Sequence, residues 1–534
     1  MVDPERAAAP QRPPRPPSWS SIPHKAQLAI ICSVRIADFF QQASLQAYMY
    51  YQLKSFSPSS SDADISFQSG VLLGVFTAAQ IFTGIIWGRV ADSPGWGRKR
   101  VLMVGLVGQG ISCLGVAFSG SFTTAVVWRG LGGAVNATVG GARTALSEAT
   151  EKRYHSRTFL ILPLAWNVAN IFGPMVGGVL SDPVLNYPGL FGAGSVFGGA
   201  DGVGWMTSWP YAAPNIFSAL VCFADAALIF LGLRETLVSR KMVRDRGLEM
   251  AESLRYHLRR MFFKRWGYRQ LDQQEEMQLG TPDVDDGEEA TSTPLTPLPL
   301  KEMDAPPSVP MPKPSFYDTL TKNVLCVLLT VAFMDFQMGG FTSLWSVFLS
   351  SSLRTKEENQ NISLPFHFAG GIGMSPSTVG VAMSTLGFVG IIFQLTLYPR
   401  VNARFGLLKS TMWSLAVFPL PYAIAPYLSL VVHEQVLLWL GVFLVAGLQV
   451  GARTFAVPGL VLLTNNASPS PAVLGTIHGL GAATSSAART IGPIVAGHWY
   501  SQGLEGGSVG KAWWLLSMVA LAGVVPSYWA RDGR

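Results

Sequence analysis

The sequence predicts an all-α membrane protein with twelve transmembrane helices arranged as two pseudo-symmetric six-helix bundles. Only 13% of its 534 residues are charged and 49% are hydrophobic, whereas soluble domains usually carry about 25% charged residues. Twelve apolar runs are long enough to cross a hydrocarbon core about 30 Å thick. Short motifs recur between the first six runs and the last six, which indicates an internal duplication.

The apolar runs form two groups of six. They cover residues 26–46, 68–89, 101–119, 123–146, 158–180 and 212–233, then 321–350, 376–397, 408–428, 434–462, 473–498 and 511–530. These limits predict bundles at 26–233 and 317–530, a disordered cytoplasmic N-terminus at 1–25 and a cytoplasmic C-terminus at 531–534.

The segment 234–316 between the two groups predicts a cytoplasmic linker. Its first part is basic and could form a helix on the membrane surface. Its second part is acidic, then rich in proline, serine and threonine, which is typical of disorder. We interpret the segment as a flexible tether, with binding of a soluble partner as the alternative.

The distribution of basic residues predicts that both termini and the linker are cytoplasmic, because lysine and arginine favour cytoplasmic loops. They occur in alternate loops, for example at 98–100, 152–157 and 400–409. The net charge of +7 is therefore explained by topology and not by binding of nucleic acid. Asn361 begins a glycosylation pattern in a loop predicted to face outward. No sorting signal distinguishes the plasma membrane from the vacuolar membrane.

The duplication is visible in three pairs of motifs. "VGGARTALSE" at 139–148 resembles "VGARTFAVPG" at 450–459, and "NIFGPMVGG" at 170–178 resembles "RTIGPIVAG" at 489–497. In addition, Phe405-Gly406 matches Trp96-Gly97. Two related six-helix bundles around a cavity near the membrane midplane follow from this pattern.

The loop between the second and third runs, "GRVADSPGWGRKRVL" at 88–102, contains more charge than its neighbours. We expect Gly88 to let the second helix pack closely at its cytoplasmic end. Arg98 and Lys99 would hold the loop at the headgroup level, and for Lys99 and Arg100 a role in topology alone is the alternative. Asp92 is not explained by topology, since acids contribute little to it. Glu148 is a candidate partner for Arg89 or Arg98.

This loop resembles the signature G-x-L-A-D-R-x-G-R-K-x-x-L of the major facilitator superfamily. The matching residues are Gly88, Asp92, Gly97, Arg98, Lys99 and Leu102. Two residues are additional and Ser93 replaces the first arginine, a spacing similar to that of the fungal drug:proton antiporter branch. The resemblance implies the major facilitator fold. It also implies that the loop latches the two halves together on the cytoplasmic side in the outward-open state.

Two further motifs resemble that antiporter branch. Arg129 matches the arginine of its fourth-helix pattern, and the resemblance implies an influence of this residue on proton release; a purely structural role is the alternative. In the fifth run the matching residues of the antiporter signature are Gly173, Pro174, Gly177 and Gly178. Pro174 would kink the helix and the glycines would allow close packing that seals the cavity. A simple bend is the other interpretation.

An isolated charge within a predicted span is costly and therefore indicates function, and we single out four further residues on this ground. Arg35 and Asp38 are three residues apart on one helical face, so a structural ion pair is an alternative to proton transfer. Asp225 and Asp335 have no basic neighbour in their own runs, and an unpaired carboxylate in an apolar environment takes up a proton readily. We favour Asp38 and Asp335 over Asp225, because the duplication relates their runs.

These observations predict a proton-coupled secondary transporter that exports a small organic solute, such as a drug or metabolite, by alternating access. Its expected partners are that solute, protons and the lipid bilayer, and we expect a monomer. No motif for a catalytic nucleophile, a phosphate-binding loop or a metal site is present, so we expect neither enzymatic activity nor a cofactor. The alternatives are a proton-coupled importer of a nutrient and a membrane sensor or scaffold that does not transport.

Overall fold

The computed structural model is helical, as predicted. It describes residues 23–151, 154, 158, 161–240, 243–265, 320–353, 362–469 and 473–530. Within this part of the chain, the β-structure consists of one isolated bridge between Ser363 and His367. Residues 1–22, most of the predicted linker, Asn361 and the C-terminal residues 531–534 lie outside the described residues.

Seven long helices lie within the described residues of the first half. They are α1 (Lys25–Phe56), α2 (Asp62–Asp92), α3 (Gly97–Ala117), α4 (Phe122–Val135), α5 (Thr138–Ala149), α6 (Ile161–Val179) and α7 (Ala212–Gly232). Short helical turns at Pro183–Asn186, Pro188–Phe191 and Gly204–Ser208 lie between α6 and α7. The basic part of the predicted linker contains α8 (Arg246–Arg265), which belongs to a separate unit.

The second half repeats this succession of helices. It contains α9 (Lys322–Ser350), α10 (Pro376–Ile392), α11 (Tyr398–Phe405), α12 (Leu407–Val417), α13 (Pro419–Ile424), α14 (Gln435–Asn466), α15 (Leu474–Glu505) and α16 (Lys511–Ser527). A π-helical turn joins α10 to α11, and a 3₁₀ turn follows α13.

Every predicted span coincides with helix. Among the described residues, eight helices are long and apolar enough to cross a membrane. The other four predicted spans coincide with α6, α15, α16 and the pair α4–α5. Twelve membrane crossings therefore remain a prediction.

The break between α4 and α5 follows from the side chain of Asn136. Its Oδ1 atom accepts hydrogen bonds from the backbone N of Thr138, at 3.1 Å, and from the Thr138 hydroxyl, at 2.7 Å. Such local side-chain bonds compete with helical backbone bonds. The fourth predicted span is consequently two helices of 14 and 12 residues.

Two pairs of helices make the most extensive contacts between the halves. The internal repeat relates each helix of one pair to a helix of the other pair. α6 packs on α10, and α2 packs on α15. In the first pair, added Cβ atoms at Gly178 and Gly380 would each lie 2.3 Å from a backbone carbonyl oxygen, of Pro376 and Pro174 respectively. Such distances are shorter than van der Waals contact, so these helices touch through their backbones.

The second pair uses the repeat-related positions. An added Cβ at Gly70 would lie 2.3 Å from the Pro493 carbonyl oxygen, and one at Gly497 would lie 2.7 Å from that of Ser66. Gly497 and Pro493 occupy the places of Gly178 and Pro174 in the repeated motif. The duplication seen in the sequence is thus also a duplication of interhelical contacts.

These contacts lie at one end of the bundle, where Gly178 is located (the Gly178 end). Hydrogen bonds join the halves there, among them Ser352 N to Asp62 Oδ2 at 2.9 Å, Ser66 Oγ to Gly497 O at 3.2 Å, Tyr51 to the Met374 carbonyl and Ser346 to the Gln46 carbonyl. The opposite end contains the loop with Arg98 (the Arg98 end) and is the one predicted to be cytoplasmic.

Toward the Arg98 end, α2 separates from α15. An added Cβ at Gly84 or Gly88 would meet no atom within 4 Å, and the side chains of Phe82 and Ile85 are 79% and 69% exposed. The expected close packing of Gly88 is therefore wrong in this conformation, because the halves meet at the other end of α2. On the α6–α10 side the contact continues further, to Asn167 and Gln394, whose side chains are 2.7 Å apart.

Candidate functional site

Asp38 is the centre of a buried polar network between α1 and the α4–α5 break. The Arg35 Nη1 atom donates to Asp38 Oδ2 at 2.5 Å. Asn136 Nδ2 and Gln42 Nε2 donate to Oδ1 at 3.0 and 3.1 Å. Arg35 Nη1 also donates to the Thr138 hydroxyl at 3.1 Å. The structure thus pairs Arg35 with Asp38, and the break in the fourth span directs Asn136 at the same carboxylate.

Arg129 lies next to this network, in a second group of hydrogen-bonded side chains. Its Nη1 atom donates to Gln41 Oε1 at 3.0 Å, and Gln41 Nε2 donates to Gln109 Oε1 at 3.3 Å. The guanidinium lies 4.4 Å from the centroid of the Phe76 ring, and its Nε atom has no hydrogen-bond partner. Asp38 is an electrostatic neighbour of Arg129, but Gln41 is its hydrogen-bond partner.

Asp335, on α9, faces basic residues from two other helices. Arg489 of α15 and Arg453 of α14 are its electrostatic neighbours, and Ser485 of α15 also lies beside it. Arg453 also reaches the first half, where its guanidinium carbon lies 3.2 Å from the centroid of the Trp166 ring. The carboxylate that appeared unpaired within its own run therefore has cationic neighbours.

Sequence reasoning did not single out Arg143, Arg453 or Arg489. Arg143 and Arg453 occupy the same place in the repeated "GART" motif, which is the signal that could have identified them. Arg143 and Arg489 are exposed to solvent, and Arg35 is an electrostatic neighbour of both. Charges from both halves are therefore gathered around one solvent-accessible space.

Asp225 lies outside the hydrogen-bonded network of Asp38. Its side chain is buried on α7, and its Oδ2 atom has no hydrogen-bond partner. A buried charged group without partners is costly and therefore indicates function. Asp225 is therefore kept as a separate candidate.

The loop at the Arg98 end forms a compact cluster on the first half. Arg98 Nη1 lies 2.5 Å from Asp92 Oδ1, and Arg98 Nη2 lies 3.1 Å from Glu148 Oε1. The Glu235 carboxylate accepts hydrogen bonds from the backbone N atoms of Arg98 and Lys99, at 3.0 and 3.3 Å. An acidic side chain is favourable at the N-terminus of a helix. Sequence analysis missed Glu235, which directly follows the sixth span.

Gly97 and Gly406 are repeat-related glycines in different surroundings. Both have a left-handed backbone, with φ of 78° and 77°. An added Cβ at Gly97 would lie 2.3 Å from Glu235 Oε2, whereas one at Gly406 would meet nothing within 4 Å. At Gly97 both the positive φ and the nearby Glu235 carboxylate favour glycine. At Gly406 only the positive φ does.

Replacing Gly97 with alanine is expected to lower stability more than replacing Gly406. The positive φ strains alanine at either position, and only Gly97→Ala also displaces Glu235 from the α3 N-terminus. Thermal unfolding of the two purified variants in one detergent measures the difference. Equal losses in the two variants would show that the Glu235 contact contributes nothing.

The glycines of the fifth predicted span face two different helices. Added Cβ atoms at Gly173 and Gly177 would lie 3.0 and 2.4 Å from backbone oxygens of Phe40 and Ser44 on α1. Gly178 instead approaches α10 of the other half. Pro174 lies inside α6, which continues as a helix to Val179. The motif thus brings α6 against both α1 and α10.

Comparisons with known proteins give one consistent family. The sequence pattern of the Major Facilitator Superfamily matches residues 30–354. The multidrug transporter mfsB of Aspergillus fumigatus is 31% identical over 531 residues, covering 97% of this chain and 85% of that protein. A probable peptide/nitrate transporter of Arabidopsis thaliana is 24% identical, with coverages of 89% and 83%. The crystal structure of a D-xylose-proton symporter has a TM-score of 0.59 at 11% identity, covering 96% of this chain and 98% of that one.

Proposed function

The chain belongs to the major facilitator superfamily, and from that premise we propose that it exports small organic solutes in exchange for protons. It is a membrane transporter of that family, and its fungal relative is named a multidrug transporter. Proton coupling, antiport and monomeric function are parts of the proposal. The observation that carries it is that each half places a carboxylate beside arginines: Asp38 is paired with Arg35 in the first half, and Asp335 lies near Arg489 and Arg453 in the second.

The carboxylate–arginine contacts suggest how protons and solute are exchanged. In the described conformation Arg35 and Asp38 compensate each other's charge, with Arg35 Nη1 2.5 Å from Asp38 Oδ2. When Arg35 moves towards solute or another acid, Asp38 is left with neutral donors and takes up a proton. Asp335 would respond in the same way to Arg489 and Arg453 in the second half.

Alternating access would act through the two exchanged helix pairs. The described conformation has both pairs in backbone contact at the Gly178 end, with α2 and α15 apart toward the Arg98 end. In the opposite conformation the glycine contacts would separate and the Arg98 end would close. The Asp92–Arg98–Glu148 cluster lies where it could then contact the second half as a latch.

Replacing Asp92 with asparagine is expected to slow transport about two- to fivefold without changing the preferred solutes. The carboxylate is largely exposed, and an exposed ion pair contributes about 0.5–1 kcal/mol. Initial rates for a panel of solutes in reconstituted vesicles measure both properties. Arg100→Gln, in the same loop, is the matched control, since Arg100 donates only to the Gly95 carbonyl. A new solute preference at normal rate would contradict the latch.

The direction of proton movement separates export from the importer alternative. In reconstituted vesicles, solute entering through an antiporter removes protons from the interior, whereas a symporter carries them in. Solute binding without any flux would favour the sensor or scaffold alternative.

The proposed location is the plasma or vacuolar membrane, with both termini in the cytoplasm. Protease access to tags on both termini, in intact cells and in isolated vacuoles, tests this location and topology.

A further inference from the structure

The space between the halves is surrounded by more positive than negative charge. Arg35, Arg143 and Arg489 are mutual electrostatic neighbours, and Arg489 is also a neighbour of Arg453. The carboxylates in this group are Asp38, paired with Arg35, and Asp335, between Arg453 and Arg489. Four arginines and two aspartates leave two positive charges uncompensated.

Arg143 is the arginine with the least compensation. Its electrostatic neighbours are the two like charges of Arg35 and Arg489. Among the described residues, no carboxylate lies within salt-bridge distance of Arg143 or Arg489. Protein surrounds Arg143 on most sides, yet solvent reaches its side chain. Its guanidinium group is therefore available to a molecule that enters the space.

Arg453 and Trp166 add a second feature from both halves. The guanidinium of Arg453 stacks on the Trp166 ring at 3.2 Å, so a cation of α14 is in contact with a ring of α6. This contact orients Arg453 beside Asp335 and Arg489. The arginines of the two halves thereby border the same space, which is where alternating access requires a solute to bind.

We propose that the transported solute is an organic anion whose acidic group binds between Arg143 and Arg489. This inference rests on the proposed transport function and specifies its substrate class. Uncompensated charges at membrane depth are costly, and an anion would neutralise them. Guanidinium groups bind carboxylate, sulfonate and phosphate groups through paired, charge-assisted hydrogen bonds. A cationic solute would meet like charge at the same place.

Two dyes with a common ring frame and opposite charge test this assignment. Fluorescein is an anion and rhodamine 123 is a cation. Binding of each dye to the purified protein is measured by fluorescence anisotropy. Uptake of each dye is measured in reconstituted vesicles that are collected by filtration. Fluorescein is expected to bind at least tenfold more tightly than rhodamine 123. Arg143→Gln and Arg489→Gln are expected to weaken fluorescein binding at least tenfold, whereas Arg143→Lys keeps most of it. Arg400→Gln is the matched control, because Arg400 is exposed and donates only to the Thr396 carbonyl.

Failure of the anion assignment is distinguishable from failure of the transport proposal. Proton-driven uptake of rhodamine 123 without uptake of fluorescein would overturn the assignment and leave transport intact. Fluorescein binding that is unchanged in both glutamine variants would also overturn it, with thermal unfolding of each variant checking that it is folded. Displacement of fluorescein by phosphatidylglycerol would assign the site to a lipid headgroup and not to a free solute. If neither dye moves and no compound of a wider solute panel changes the internal pH, the proposal of proton-coupled export falls as well.

Discussion

Vesicles containing Asp38→Asn protein are expected to lose pH-driven solute accumulation and to approach protein-free vesicles. Asparagine has nearly the shape of aspartate and can still accept from Asn136 and Gln42 through its carbonyl oxygen. The asparagine amide, unlike a carboxylate, does not bind and release a proton at the pH of the transport assay. Asp335→Asn is expected to have the same effect, because Asp335 holds the corresponding place beside Arg489 and Arg453.

Exchange of labelled for unlabelled solute is measured in the absence of a pH gradient. It distinguishes a variant that has lost only proton coupling from one that is no longer folded. Both variants are expected to retain this exchange. Because Asp38→Asn leaves Arg35 buried without its counter-charge, stability is expected to fall, and the double variant Arg35→Gln/Asp38→Asn removes both charges together. Asp225→Asn, at a buried aspartate outside the network, tests the third candidate separately. Unchanged pH-driven flux in both Asp38→Asn and Asp335→Asn would contradict the proposed carriers.

Replacing Gly380 with valine is expected to reduce transport more than tenfold by preventing closure at the Gly178 end. Its Cβ atom would lie 2.3 Å from the Pro174 carbonyl oxygen, and a backbone atom within a helix cannot move aside as a side chain can. The protein is then expected to favour the conformation that is open at this end. Gly70→Val, at the repeat-related contact with Pro493, is expected to act in the same way.

The accessibility of a cysteine at Thr77 reports this change of conformation. The Thr77 hydroxyl contacts that of Thr490 at 3.1 Å, between the halves, and the four native cysteines are first replaced. In the valine variants, a membrane-impermeant thiol reagent added at the Gly178 end is expected to reach Cys at this position faster than in the parent. Gly447→Val is the control, because an added Cβ at Gly447 meets nothing within 4 Å. Equal labelling and equal transport in all variants would contradict a closing role for these glycines.

Some features of the fold and site follow from the sequence because they depend on local pattern. Apolar run length predicted the positions of the helices, and the repeated Gly-Pro motifs indicated the duplication to which the contacts at Pro174 and Pro493 conform. The ion pair of Arg35 with Asp38 follows from helical spacing. Each of these depends on residues close together in the chain or on a direct comparison of two segments.

Other features depend on which distant helices meet. Arg453 and Arg489 reach Asp335 from separate helices, and Glu235 reaches the α3 N-terminus from beyond the sixth span. No spacing within one run contains that information. The packing of Gly88 additionally depends on conformation, since the halves of a transporter meet at different ends in different states. A single sequence cannot specify which of those states is described.

The internal pH of reconstituted vesicles during solute uptake tests proton-coupled exchange most directly. A pH-sensitive dye is trapped inside, and a panel of organic anions and cations is added outside one compound at a time. We expect the interior to become more alkaline as a transported solute enters, and this change to disappear in Asp38→Asn. Solute uptake with acidification of the interior would contradict antiport, and uptake at constant internal pH would contradict proton coupling altogether.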